Sequence, residues 1–119
     1  MKYLLITLMF ICGHSFAQNK TITSYKNTVG NISGDSIIWE DFLINPMTFT
    51  FTDLSISVND KIGSVYKILN KLSTKKTTIY NCVDEKNRNC KLSVVDDILH
   101  SYIMVSYEKV VYLYTLKTP

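Results

Sequence analysis

Apolar positions are densest from Ile98 to Leu116, ILHSYIMVSYEKVVYLYTL. β-branched and aromatic residues dominate there, which suits a pleated strand. Glu108 and Lys109 are its only acid and base, so the chain should reverse at that point. With Tyr107 near Val110, Val105 falls beside Tyr112 and Ile103 beside Tyr114. Cross-strand partners share a face, so Ile103, Val105, Tyr112, Tyr114 and Leu116 form one side. Tyr102, Met104, Val111 and Leu113 form the other. Both sides are largely apolar, so each needs a cover.

The alternation in Met47 to Val58, MTFTFTDLSISV, sends Met47, Phe49 and Phe51 one way and the threonines the other. The phase then shifts to Leu54, Ile56 and Val58, which places a bulge, bend or turn at Thr52-Asp53. Asn59-Asp60 reads as a helix N-cap. Ile62, Val65, Tyr66, Leu69 and Leu72 follow at helical spacing, with Lys61, Ser64, Lys67, Asn70 and Lys71 opposite. This predicts one amphipathic helix over about 60–73, packed on the terminal hairpin. Thr77 to Val83 and Cys90 to Val95 read as a hairpin around the polar turn VDEKNRN, with Tyr80 facing Leu92 and Thr78 facing Val94. Asp96-Asp97 turns the chain into the last hairpin. Ser36 to Ile44 is open between strand and short helix, and Asn45-Pro46 should end it. Residues 18–35 read as a loose arm, with at most a short edge strand, closing at a Gly34-Asp35 turn. The expected architecture is α+β, an antiparallel β-meander with the helix on one face.

The first residues change the picture of location. A basic start, an apolar run from Leu4 to Cys12 and the small residues of Ser15-Phe16-Ala17 have the form of a secretory signal peptide, residues 1–17, cut after Ala17. The run is too short for the roughly 20 residues of a spanning helix. A single domain, 18–119, remains, with no transmembrane segment expected after cleavage. The composition points to the periplasm of a Gram-negative bacterium, with an extracellular location as the alternative. Two cysteines remain beyond the leader, Cys82 and Cys90, and an even count in an exported chain predicts a disulfide between them.

Charge and motif content exclude several activities. The formal net charge is +3, scattered, and the longest basic run is Lys75-Lys76, which leaves no footprint for nucleic acid. His100 is the one histidine beyond the leader. A triad of Ser101, His100 and Asp97 fails, because strand neighbours point to opposite faces. With both cysteines oxidised, too few ligands remain for zinc. The acidic doublets Glu40-Asp41, Asp84-Glu85 and Asp96-Asp97 sit at turns, where solvated charges belong. No glycine-rich phosphate loop occurs, and 84–89 lacks the glycine and terminal glutamate of a calcium loop. No catalytic residue, metal or cofactor is expected. Tyrosine offers large contact area with a polar tip. Tyr102, Tyr107, Glu108, Lys109, Tyr112 and Tyr114 are therefore the candidate surface for a protein partner. The exposed threonines Thr48 and Thr50 mark an alternative edge for strand addition.

Leu54 to Leu116 resembles small exported bacterial proteins of the SmpA/BamE and β-lactamase-inhibitor-like type. The resemblance rests on LSISVNDKIGSVYKILN, then a cysteine-closed hairpin, then strands. It implies a lead-in strand, a helix, an antiparallel meander and a non-enzymatic protein-binding role. The family's glycine before the helix and its lipid-anchored cysteine are absent. The expected function is an inhibitor or immunity protein that binds a toxin or hydrolase in the periplasm. The alternative is an envelope structural or assembly accessory that binds an envelope component. A small enzyme dependent on His100 is the third possibility.

Overall fold

The computed structural model describes residues 19–97 and 100–116; the expected signal peptide lies outside them. Nine strands follow one another: β1 (Lys20–Ser33), β2 (Ser36–Trp39), β3 (Leu43–Phe51), β4 (Ser55–Val58), β5 (Val65–Ser73), β6 (Thr77–Val83), β7 (Asn89–Asp96), β8 (Ser101–Ser106) and β9 (Val110–Leu116). β3 to β9 pair in sequence order, and β1 joins β3 on one edge and β9 on the other. Eight antiparallel strands thus close into a barrel, with β2 a hairpin extension of β1. The described residues contain no helix, so the α+β expectation is corrected to all-β.

The expected helix over 60–73 is a loop followed by β5. Its stripe is not a buried face: Ile62 is 85% exposed, Leu69 55% and Leu72 61%, and only Tyr66 is buried, at 8%. Two features made a strand look helical. The register shifts between Ile68 and Asn70, so an extra residue at Leu69 breaks the period of two. Asp60 does cap, but it caps a loop. Its Oδ1 accepts the N–H groups of Ile62, Gly63 and Ser64 at 3.2, 2.6 and 2.9 Å. An N-cap and an Asx turn use the same side chain in the same way. Here Gly63, at φ 72°, turns the chain out into β5. The strand–helix order implied by the resemblance is absent for the same reason.

The expected loose arm is instead β1, the longest strand. Its lower half pairs with β3, its middle with β9 and its upper end with β2. That stagger lets the sheet close. The register slips between Ser24 and Lys26 on both edges, leaving Tyr25 as a bulge. Asn45-Pro46 lies opposite this bulge within β3 and does not end the strand. Proline lacks the N–H that a regular ladder needs, so a bulge can hold it.

The two C-terminal hairpins have the expected register. Tyr80 faces Leu92, Thr78 faces Val94, Cys82 faces Cys90, Val105 faces Tyr112 and Ile103 faces Tyr114. The phase shift at Thr52-Asp53 is a turn between β3 and β4. Phe49, Ile56, Leu92, Ile103 and Val105 are fully buried in the interior. Each contributes about 2 kcal/mol by burial. Phe51 and Tyr80 pack beside them, ring centres 5.5 Å apart. Thr50, Ser57, Lys67, Lys91 and Ser93 occupy the intervening positions. The interior is thus apolar, and the outer positions mix these polar residues with Tyr102, Met104, Val111 and Leu113 of the last hairpin. No helix among the described residues is long and apolar enough to cross a membrane.

Candidate binding mouth

The packed core leaves one end of the barrel open. The β4–β5 loop, the β6–β7 turn and the β8–β9 turn meet there, beside the break between β2 and β3. Alternation brings Tyr66 of β5 and Tyr112 and Tyr114 of β9 to the inner face, and Tyr107 reaches over from the β8–β9 turn. They line a cup of about 410 Å³. A second recess of about 490 Å³ shares Tyr112 and Tyr114 and extends to Asn27, Val29 and Leu43. Tyr114 stands edge-on to Phe49, ring centres 4.9 Å apart, so the aromatic wall is continuous with the core.

A polar network fixes one side of the cup. Asp84 opens the β6–β7 turn, and its Oδ1 accepts the N–H groups of Lys86 and Arg88 at 3.0 and 2.9 Å. Asn87, at φ 63°, takes the left-handed position that asparagine tolerates. Oδ2 of Asp84 accepts the Tyr107 hydroxyl and Arg88 Nε, each at 2.9 Å. The Arg88 guanidinium lies 5.1 Å from the Tyr107 ring centre. Opposite, Glu85 Oε1 accepts Val65 N–H at 3.0 Å and ties the turn to β5.

These surroundings set the titrations. Burial lifts the Tyr66 phenol to about 12, with Cys90 adding to the shift. Burial raises Tyr107, helped by its bond to Asp84, and burial raises Tyr114. Tyr66, Tyr107 and Tyr114 are therefore neutral phenols at neutral pH. Burial pushes Asp84 upward, but the Arg88 N–H, the Tyr107 hydroxyl and the Arg88 guanidinium outweigh it and hold the carboxyl low.

Of the expected partner surface, Tyr107, Tyr112 and Tyr114 come together in the cup. Glu108 and Lys109 sit at the exposed turn beside it, where the Lys109 carbonyl accepts Ile32 N–H at 2.9 Å. Tyr102 stands apart: it pairs with Val95 and Thr115 on the outer wall. His100 is exposed at the other end, in the β7–β8 connection. Thr48 is sealed by Asn59, whose Oδ1 accepts Thr48 N–H at 2.6 Å and whose N–H bonds the Thr48 carbonyl at 3.1 Å. Strand addition at Thr48 and Thr50 is thereby blocked, since β4 covers the rest of that edge.

Cys82 and Cys90 face each other, buried, as free thiols, so the expected disulfide is not formed in this structure. No group of three or more His, Cys, Asp or Glu able to hold a metal occurs among the described residues.

Sequence reasoning missed Tyr66, assigned to a helix stripe, and the Asp84–Arg88 network. The alternation of Tyr66 and Ile68 was the available signal for the first. For the second it was an aspartate two and four residues before N–H groups in a turn. A scan against protein-family models, a search of curated proteins and a search of solved structures each found no match.

Proposed function

We propose that this is an exported, non-catalytic binding module of inhibitor or immunity type, which grips another protein at the open end of the barrel. The observation that carries the reading is the convergence of Tyr66, Tyr107, Tyr112 and Tyr114 around one cup. Exposed Leu43, Ile62 and Val65 add apolar surface at its rim. Rigid aromatic side chains in a preformed recess are the anchors that dominate protein interfaces. Tyr112 is the most available, at 37% exposure.

The test is capture from periplasmic extract by the mature chain, followed by titration calorimetry with the purified partner. Tyr112→Ala should weaken binding by about tenfold or more, as expected for an anchor, and Tyr102→Ala should leave it unchanged. Equal binding by both variants refutes the reading. The size of the cup favours one second reading, capture of a small molecule, because such pockets span roughly 300–1,000 Å³. Native mass spectrometry of protein purified from its host separates the two by the mass of what stays bound.

A further inference from the structure

We infer that the free edge of β2 receives an extended strand of the partner protein, one carrying Lys or Arg at both ends. This rests on the protein-binding reading and gives that partner a mode of attachment.

Among the described residues, β2 is paired on one side only, with β1. The register pairs Trp39 with Gly30, Ile38 with Asn31 and Ile37 with Ile32. Glu40 N–H bonds the Val29 carbonyl at 2.9 Å. Backbone groups alternate in direction along an antiparallel strand, so Ser36, Ile38 and Glu40 bond toward β1. The N–H and C=O of Ile37 and Trp39 then point outward. A row of such groups is satisfied by water or by another strand.

The edge is held ready. Ile37 and Trp39 fold over Gly30 so closely that a Cβ there would lie 2.6 Å from Ile37 Cγ2 and 2.8 Å from Trp39 Cε3. These anchors fix the strand while the neighbouring Ile38 stays 61% exposed on the opposite face. The segment SIIWEDFL contains no lysine or proline, the residues that most often guard an edge. Its length of four residues limits aggregation but admits one incoming strand.

Charge selects the occupant. Asp35 precedes β2, and Glu40 and Asp41 follow it. A strand with a cation at each end meets an acid at each end. A second copy does not: antiparallel self-pairing through the outward groups sets Ile37 opposite Trp39 and so Asp35 opposite Asp41, and like charges directly opposite repel.

The probe is a synthetic peptide of alternating valine and threonine with a lysine at each end. Trp39 is the only tryptophan in the chain, so its emission reports on this strand. Three further readings accompany it: a peptide with glutamates for the lysines, one with N-methylated alternate amides, and amide exchange by NMR. The lysine peptide should shift Trp39 emission to the blue in a saturable way and slow exchange at Ile37 and Trp39 about tenfold. The glutamate peptide should bind at least about tenfold more weakly, and the N-methylated peptide should not bind. Ile37→Pro removes an outward N–H and spares the bonds to β1, so it should abolish the shift. The N-methylated peptide makes the same test on the unaltered chain. No saturable shift up to about 1 mM peptide, a threshold equivalent to very weak binding, overturns the inference. So does equal binding of the N-methylated peptide, or a dimer in sedimentation that the peptide dissociates. Tyr112→Ala should leave peptide binding intact, so loss of the edge and loss of the cup are read separately.

Discussion

The Tyr107 hydroxyl donates to Asp84 Oδ2 at 2.9 Å and so ties the β8–β9 turn to the β6–β7 turn across the open end of the barrel. The same carboxylate organises its own turn through Lys86 N–H and Arg88 N–H. One side chain thus couples two turns that are far apart in the chain, and it shapes the wall of the cup.

Tyr107→Phe removes the tie and keeps the ring. A hydrogen bond to a charged group is worth about 1.5–3 kcal/mol, so the melting temperature should fall by several degrees. The acid response should change too. Burial opposes the charge on Asp84, but the bonds from Arg88 and Tyr107 hold its folded value below 3.8. On Asp60 likewise, burial is outweighed by the hydroxyl and N–H of Ser64 and the N–H groups of Gly63 and Ile62. A lowered folded value gives stability above the unfolded carboxylate range that is lost as pH falls through the folded value. Melts followed from neutral to acid pH should therefore weaken below about pH 4, where carboxylates protonate. Tyr107→Phe should show a shallower loss.

Gly30→Ala tests the outer cover. The new methyl meets Ile37 and Trp39 at under 3 Å, so both must move. Val111, the partner of Gly30 in β9, is buried on this outer face although it belongs to no part of the interior core. Aromatic cover over a glycine is a known device for sealing a sheet. Overpacking of this kind costs about 1–3 kcal/mol. Trp39 emission should shift to the red and the melting temperature should drop, measured on the same sample.

These two sites show which parts of the fold the chain declares locally. The pairings of Cys82 with Cys90 and of Val105 with Tyr112 were legible because each hairpin has strict alternation and a short polar turn. The closure of β1 on β9 was not. It joins segments from opposite ends of the chain, and no local period encodes it. β1 itself was disguised by its polar positions, since Ser24 is buried and Thr28 is sealed by the Glu40 carbonyl at 2.6 Å. The bulge at Leu69 hid β5 by changing its parity, and with it went Tyr66, the fourth wall of the cup. Tyr107, Tyr112 and Tyr114 were found from composition alone; their common face followed for the last two from register.

The buried phenols predict an alkaline limb. Burial, with help from Cys90, raises Tyr66 from 10.0 to about 12. A raised folded value means that the neutral form is favoured by folding. That stability is complete below the unfolded value and is lost as pH rises through the folded one. Between about pH 10 and about pH 12 the native state should weaken, because tyrosines in the unfolded chain ionise first. Absorbance at the phenolate band should show a step above the ordinary tyrosine range that coincides with the loss of the strand circular dichroism signal. A single titration at the ordinary value, with the fold intact, would contradict the buried geometry.

The thiol pair yields the last prediction. Burial, then the proximity of Cys90, lifts the Cys82 thiol to about 12, and burial raises Cys90. The thiolate is the reactive form, so little of it exists at neutral pH. Folded protein should resist iodoacetamide, and both cysteines should label after unfolding in denaturant without reductant, as read by mass. Cys82→Ala should lower stability by about 1 kcal/mol through lost packing, a usual size for a core truncation. That loss should be the same with and without reductant. A crosslink would give the opposite pattern: no labelling on unfolding until reductant is added, and a wild-type melting temperature that falls on reduction. The register leaves both sulfurs on one interior face, so the two outcomes test the state of the pair and leave the barrel fold unchallenged.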